Sequence, residues 1–175
     1  MHKNNFLKYI EFEKRYSKHT LTSYNTDLTQ FLNFLHTEYE ISDVSEISHQ
    51  IIRSWISSML DRGMSSRSVN RKITTLKSFY KYLMQEDIIF ENPTQKIISP
   101  KNAKKLPVFV EKSKMDELLL EIEFPDTFEG ERDKLIIDVF YMTGMRLSEL
   151  LGIKKEDIDF SKSSIKVLGK RNKER

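Results

Sequence analysis

Three of the four prolines in this 175-residue chain fall in one stretch, ENPTQKIISPKNAKKLPVFV at 91–110, and none precedes it. Proline fixes φ and removes a backbone donor, so long helices run only where it is absent. The residues before that stretch contain a single glycine, Gly63. This punctuation predicts a helical body at 1–91, an extended linker at 92–107 and a second body at 108–175. The linker is basic: Lys96, Lys101, Lys104 and Lys105 lie in a run without an acid.

Four helices are read in the first body. The first is short, around Asn5 to Lys14. The second takes Ser17 or Thr20 as N-cap and runs to about Thr37, with Leu21, Tyr24, Leu28, Phe31, Leu32 and Leu35 recurring at three or four. The third starts at Ser48, carries Ile51, Ile52, Trp55, Ile56, Met59 and Leu60 on one stripe, and ends at Gly63. The fourth starts at Ser65 or Ser66 and runs to about Glu86 over the stripe Val69, Ile73, Leu76, Tyr80 and Leu83. Arg67, Asn70, Arg71, Thr74, Lys77, Ser78 and Lys81 fall opposite that stripe. Lys72 does not fit, because it sits at the edge of the apolar face. From Arg67 to Lys81 there are five basic residues and no acid. Such a face is either solvated or turned to phosphates, and the missing carboxylates favour phosphates.

The second body reads as α+β. A helix follows Glu111 to Ser113 through Met115, Leu118 and Leu119, and a surface loop EFPDTFEGE comes next. A further helix runs from about Arg132 through Leu135, Ile136, Val139 and Phe140 to Gly144, then a short one covers Leu147 to Leu151. Ser164 to Leu168 alternates as a strand, and GKRNKE reads as a hairpin turn. The returning strand is not in the sequence, so this body is expected to be incomplete. The fold class is therefore mainly α: a four-helix body, then helices with the start of a β-hairpin.

Other classes fall away. There is no cysteine, so disulfides and thiolate metal sites are excluded. His2, His19, His36 and His49 lack ligand spacing, and no metal or other cofactor is expected. No apolar run reaches a membrane span, and the N-terminus lacks the apolar core of a secretory signal, so a cytoplasmic protein is the default. The net charge of +3 is too small to identify a partner.

YMTGMRLSELLGIKKEDIDF resembles the first conserved motif of the tyrosine recombinases, the phage integrase family, and especially of its Xer-like branch. The matching residues are Thr143, Gly144, Arg146, Ser148, Glu149, Leu150, Gly152, Asp157 and Ile158. IKVLGKRNKER resembles that family's β-hairpin, whose turn carries a catalytic lysine. By position this is Lys170; Arg171 stands where the family more often has glycine. SKHTLTSYNTDLTQFLNFL and SSRSVNRKITTLKSFYKYL resemble helices of the family's SAM-like core-binding domain. The later motifs, a His-x-x-Arg box and the nucleophilic tyrosine, have no counterpart, since all seven tyrosines precede Arg146.

The resemblance implies site-specific DNA recombination or integration through a 3′-phosphotyrosine, without metal or nucleotide cofactor. The partner is double-stranded DNA, and the full-length protein would act as a tetramer on two DNA sites. Arg146 would offer a planar fork of donors to the scissile phosphate. Lys170 would protonate the leaving 5′ oxygen. Glu149 would support the site from behind, or be an ordinary helix ion pair. DNA contact is expected at Arg67, Asn70, Arg71, Thr74, Lys77, Lys81, Lys101 and Lys104. The chain itself is expected to bind DNA and to cut nothing. A non-catalytic helical DNA-binding protein would share the basic helix without needing Arg146 and Lys170. A helical interaction domain would need no nucleic acid.

Overall fold

The computed structural model describes residues 2–103, 106, 108–121, 123–169 and 174–175. It divides into two compact units, Met1–Lys105 and Leu106–Arg175.

The first unit is built from four α-helices: α1 (His2–Lys8), α2 (Lys18–Tyr39), α3 (His49–Asp61) and α4 (Ser66–Gln85). A single π-helical turn at Tyr9–Glu13 extends α1, with Lys14 N–H bonded to Tyr9 O, and brings Ile10 inward beside Phe6. The helix starts follow side-chain chemistry. Ser17 Oγ accepts from Thr20 N–H and Ser65 Oγ from Ser68 N–H, each satisfying a donor that the first helical turn leaves unpaired. Gly63, at φ +78°, turns the chain after α3 in a conformation that costs a side chain-bearing residue more.

The apolar stripes meet in one core. Leu28, Phe31 and Leu35 of α2, Ile52, Trp55 and Met59 of α3, and Val69, Ile73, Leu76, Tyr80 and Leu83 of α4 are all buried there. Each large apolar side chain so buried contributes about 1.5–3 kcal/mol. The face of α4 is broader than its stripe, because Phe79 and Tyr82 are buried too. Two stripe positions of α3 differ from expectation: Leu60 is 38% exposed and Ile51 only half-buried.

The proline-rich segment is not free along its length. Asn92 Oδ1 accepts from Thr94 N–H and Thr94 Oγ1, while Thr94 and Ile97 are buried within the first unit. Further on, Asn70 Nδ2 donates to Pro100 O and Asn102 Oδ1. Ile97 is an apolar residue with a place in the core, and that burial overrides the extended reading of the segment.

The second unit holds α5 (Lys112–Glu121), α6 (Phe128–Thr143) and α7 (Leu147–Leu150), then strands β1 (Ile158–Asp159) and β2 (Ser164–Ile165) paired antiparallel. Helix α6 starts a turn earlier than Arg132. Thr127 Oγ1 caps it at Gly130 N–H, and Glu129 and Glu131 lie in its first turn, where carboxylates suit the helix dipole. Gly130 is there for space, since a Cβ would collide with Pro125 O. Gly144, at φ +60°, ends α6 with its N–H bonded to Phe140 O. β1 was not read from the sequence; its turn is held by Asp159 Oδ1, which accepts from Ser161 and Lys162 N–H. Val167 and Arg175 exchange both backbone hydrogen bonds, so the first pair of a returning strand is present.

Candidate active site and nucleic-acid interface

In the second unit the break between α6 and α7 sets Arg146. Gly144 turns the chain out of α6, and Arg146 is the N-cap of α7 in an extended conformation (φ −82°, ψ 154°). One helical turn on, Glu149 folds back. Its Oε2 accepts from Arg146 N–H at 2.8 Å, and its Oε1 accepts from Arg146 Nη1 at 2.7 Å. The carboxylate therefore grips both the backbone and the side chain of one residue.

The Glu149 side chain is 3% exposed, whereas that of Arg146 is 63% exposed. The Arg146 backbone N–H, followed by the side chains of Arg146 and Arg175, holds the Glu149 carboxyl down at about 2 against the opposing effect of burial. Arg175 Nη2 reaches Glu149 Oε2 at 2.5 Å. Nothing in residue type or spacing marks Arg175 for this contact, which crosses 26 positions. A guanidinium has five N–H donors, and Arg146 gives one to Glu149; no further partner is found among the described residues. Chemically this is a fixed, charged fork with most of its donors open, which suits a phosphate.

Lys170 lies outside the described residues, and so does Lys104. The residues flanking 170–173 are antiparallel, with Leu168 bridged to Glu174.

In the first unit, Arg67, Arg71, Thr74, Lys77 and Lys81 are exposed on α4, and Lys101 is exposed beyond it. Arg67, Lys77 and Lys81 have no ion-pair partner among the described residues. Thr74 Oγ1 donates back to Asn70 O within the helix. Asn70 is half-buried and its amide faces the 100–102 segment, which removes its donors from the open row.

Arg71 and Lys72 share an anion that no local pattern in the sequence marks. Asp27 of α2 is fully buried. Arg71 Nη1 and Nη2 reach its two oxygens at 2.6 and 2.8 Å, Lys72 Nζ lies at 2.9 Å and Thr75 Oγ1 at 2.9 Å. This explains Lys72 at the edge of an apolar face: it is buried as an ion, with Asp27 and Gln30 as partners. The basic stretch has no acid in its own sequence, yet α2 supplies one.

Among the described residues, no helix is long and apolar enough to cross a membrane. A family model described as the phage integrase N-terminal SAM-like domain matches residues 4–87, and one described as the phage integrase family matches residues 108–175. Tyrosine recombinase XerC of Staphylococcus carnosus is 40% identical over 170 residues, covering 97% of this chain and 56% of the relative. The XerC of Staphylococcus haemolyticus is 39% identical with the same coverage. The chain thus spans about half the length of the curated relatives it matches.

Among solved structures, the Tn1549 transposon integrase in complex with transposon right end DNA superposes with a TM-score of 0.72 at 20% identity, over 95% of this chain and 51% of that one. A lambda integrase dimer bound to a core site gives 0.71 at 16%, over 99% and 59%. At those identities the likeness is one of fold. The two family models fall one on each structural unit, and the Arg146 motif lies inside the second, so the chain belongs to the phage integrase family, the tyrosine recombinases.

Proposed function

We propose that this chain takes part in site-specific DNA recombination, with its first unit on the duplex backbone and its second supplying cations to a scissile phosphodiester. The single observation that carries the reading is the Glu149 clamp, which spends a buried carboxylate on fixing an exposed guanidinium. Binding a phosphate would use the remaining donors of Arg146. As a tyrosine oxygen attacks phosphorus and the bond to the 5′ oxygen breaks, charge grows on the non-bridging oxygens. A fork held in advance stabilises that charge without reorganising.

Lys170 is the proposed acid for the leaving 5′ oxygen, and Glu149 the positioning residue for Arg146. The product is a 3′-phosphotyrosine and a free 5′ hydroxyl. Attack by a 5′ hydroxyl from the other duplex breaks the phosphorus–tyrosine bond, the proton of that hydroxyl passes to the departing tyrosine oxygen, and the 3′–5′ phosphodiester of DNA is restored. Arg67, Arg71, Lys77, Lys81, Lys101 and Lys104 are proposed to track phosphates. The chain spans about half of its relatives' length; the longer protein is proposed to act in the cytoplasm as a tetramer on two DNA sites, with the nucleophile outside these residues.

The test uses the 175-residue chain on duplex DNA. Fluorescence anisotropy is expected to show binding that weakens steeply with salt, and charge reversal at Arg67 should weaken it and flatten the salt dependence. A suicide substrate is expected to give no covalent adduct. Salt-independent binding, or none, would remove the first unit from the duplex, and an adduct would place a nucleophile among the tyrosines present.

A further inference from the structure

We infer that Asp27 is a positioning residue for DNA recognition: the buried carboxylate grips one edge of the Arg71 guanidinium so that its other edge is presented to a phosphate. The inference rests on the proposed DNA contact of the first unit and deepens it.

Asp27 is wholly buried on α2, yet its partners Arg71, Lys72 and Thr75 all lie on α4. It receives Arg71 end-on, Nη1 to Oδ2 and Nη2 to Oδ1. Two of the five guanidinium N–H groups are thereby used and three remain. The Arg71 side chain stays 47% exposed, beside Thr74 and one helical turn from Arg67. Lys72, 4% exposed, matches the carboxylate charge at Oδ1, the oxygen that Arg71 Nη2 also reaches. The cluster therefore carries one net positive charge, and that charge belongs to the outward-facing Arg71. An ordinary surface arginine is held by nothing and loses rotamer freedom on binding; this one is ordered beforehand.

The alternative is that Asp27 and Arg71 form a structural ion pair without a part in binding. The two readings predict opposite signs for Asp27→Asn. Removing a negative charge makes the chain more cationic, so simple electrostatics predicts tighter, more salt-sensitive binding to duplex DNA. Positioning predicts weaker binding, because Arg71 is released.

The experiment titrates wild-type chain, Asp27→Asn, Arg71→Ala and the double variant against one duplex across a salt series, with the folded fraction checked by circular dichroism. Loss of one phosphate contact lowers the logarithmic salt slope by about 0.9, which is about eightfold in affinity near 0.1 M salt. Arg71→Ala and Asp27→Asn are each expected to show that loss, and the double variant no more than either. Tighter or unchanged binding by folded Asp27→Asn overturns the inference. If Asp27→Asn does not fold, Arg71→Lys decides: it keeps the charge but lacks the fork. Positioning predicts that Arg71→Lys falls with Arg71→Ala, and wild-type affinity overturns it. Absence of salt-dependent binding by the wild-type chain would instead refute the parent reading of DNA contact.

Discussion

Replacing Lys72 by methionine should cost much less than replacing its partner Asp27 by asparagine, although both substitutions break the same buried ion pair. The asymmetry follows from what each leaves behind. Without the ammonium, Asp27 keeps both Arg71 contacts and the Thr75 hydroxyl. Gln30 loses a donor but is exposed and reaches water. Methionine retains the apolar stem. The loss is two hydrogen bonds from the ammonium, one of them to an acceptor that water can serve, offset by relief of ammonium desolvation, about 1–3 kcal/mol. Asparagine at position 27 instead strands the buried Lys72 without an anion, a change worth about 3–5 kcal/mol. A difference near 2 kcal/mol is a large share of the roughly 5–15 kcal/mol that holds a domain together. Urea denaturation followed by Trp55 fluorescence measures it, since Trp55 is the one tryptophan and lies in the same core. With a slope of about 1–3 kcal/mol/M, the two midpoints should differ by roughly 1 M. Equal midpoints, or a lower one for Lys72→Met, would refute the view that Arg71 sustains Asp27 when Lys72 is gone.

Glu149 is held at about 2 in the fold against an ordinary 4.5, so its stabilising contribution is complete above 4.5 and disappears as pH falls toward 2. Acid titration of amide exchange around α7 should show that loss, and Glu149→Gln should reduce the pH dependence there, leaving the share of Asp159, which Ser161 and Lys162 also hold low. Gly130→Ala should destabilise α6 by about 1–3 kcal/mol through collision with the Pro125 carbonyl, visible as a lowered Tm. Gly144→Ala places a side chain at φ +60° and should cost about 1 kcal/mol of stability, with Gly144→Asn costing less.

The basic row of α4 shows where sequence reading stopped. Arg67, Lys77 and Lys81 stand exposed where periodicity placed them, because one helix's geometry decides which way its residues face. Arg71 faces outward too, but two of its N–H groups are held by a residue 44 positions earlier, a fact no local pattern contains. Lys72 was visible as a misfit, and a buried cation demands an anion, yet nothing in the sequence chose Asp27. Asn70 falls on the open face by periodicity, yet its amide turns to Pro100 and Asn102.

Local information also located α2, α3 and the end of α6. The hydrophobic repeat, the Ser17 and Ser65 caps and Gly63 and Gly144 all act within a turn or two of where they stand in the chain. Arg146 and Glu149 were legible through the resemblance of their segment to the family motif, and their contact is local, three positions apart at the start of one short helix. Tertiary structure alone decided the rest: Ile97 docked into the first core, Arg175 on Glu149, and Asp27 beneath the α4 cations. Those depend on which distant surfaces meet, and burial in a shared core, acting without regard to sequence separation, is what brings them together.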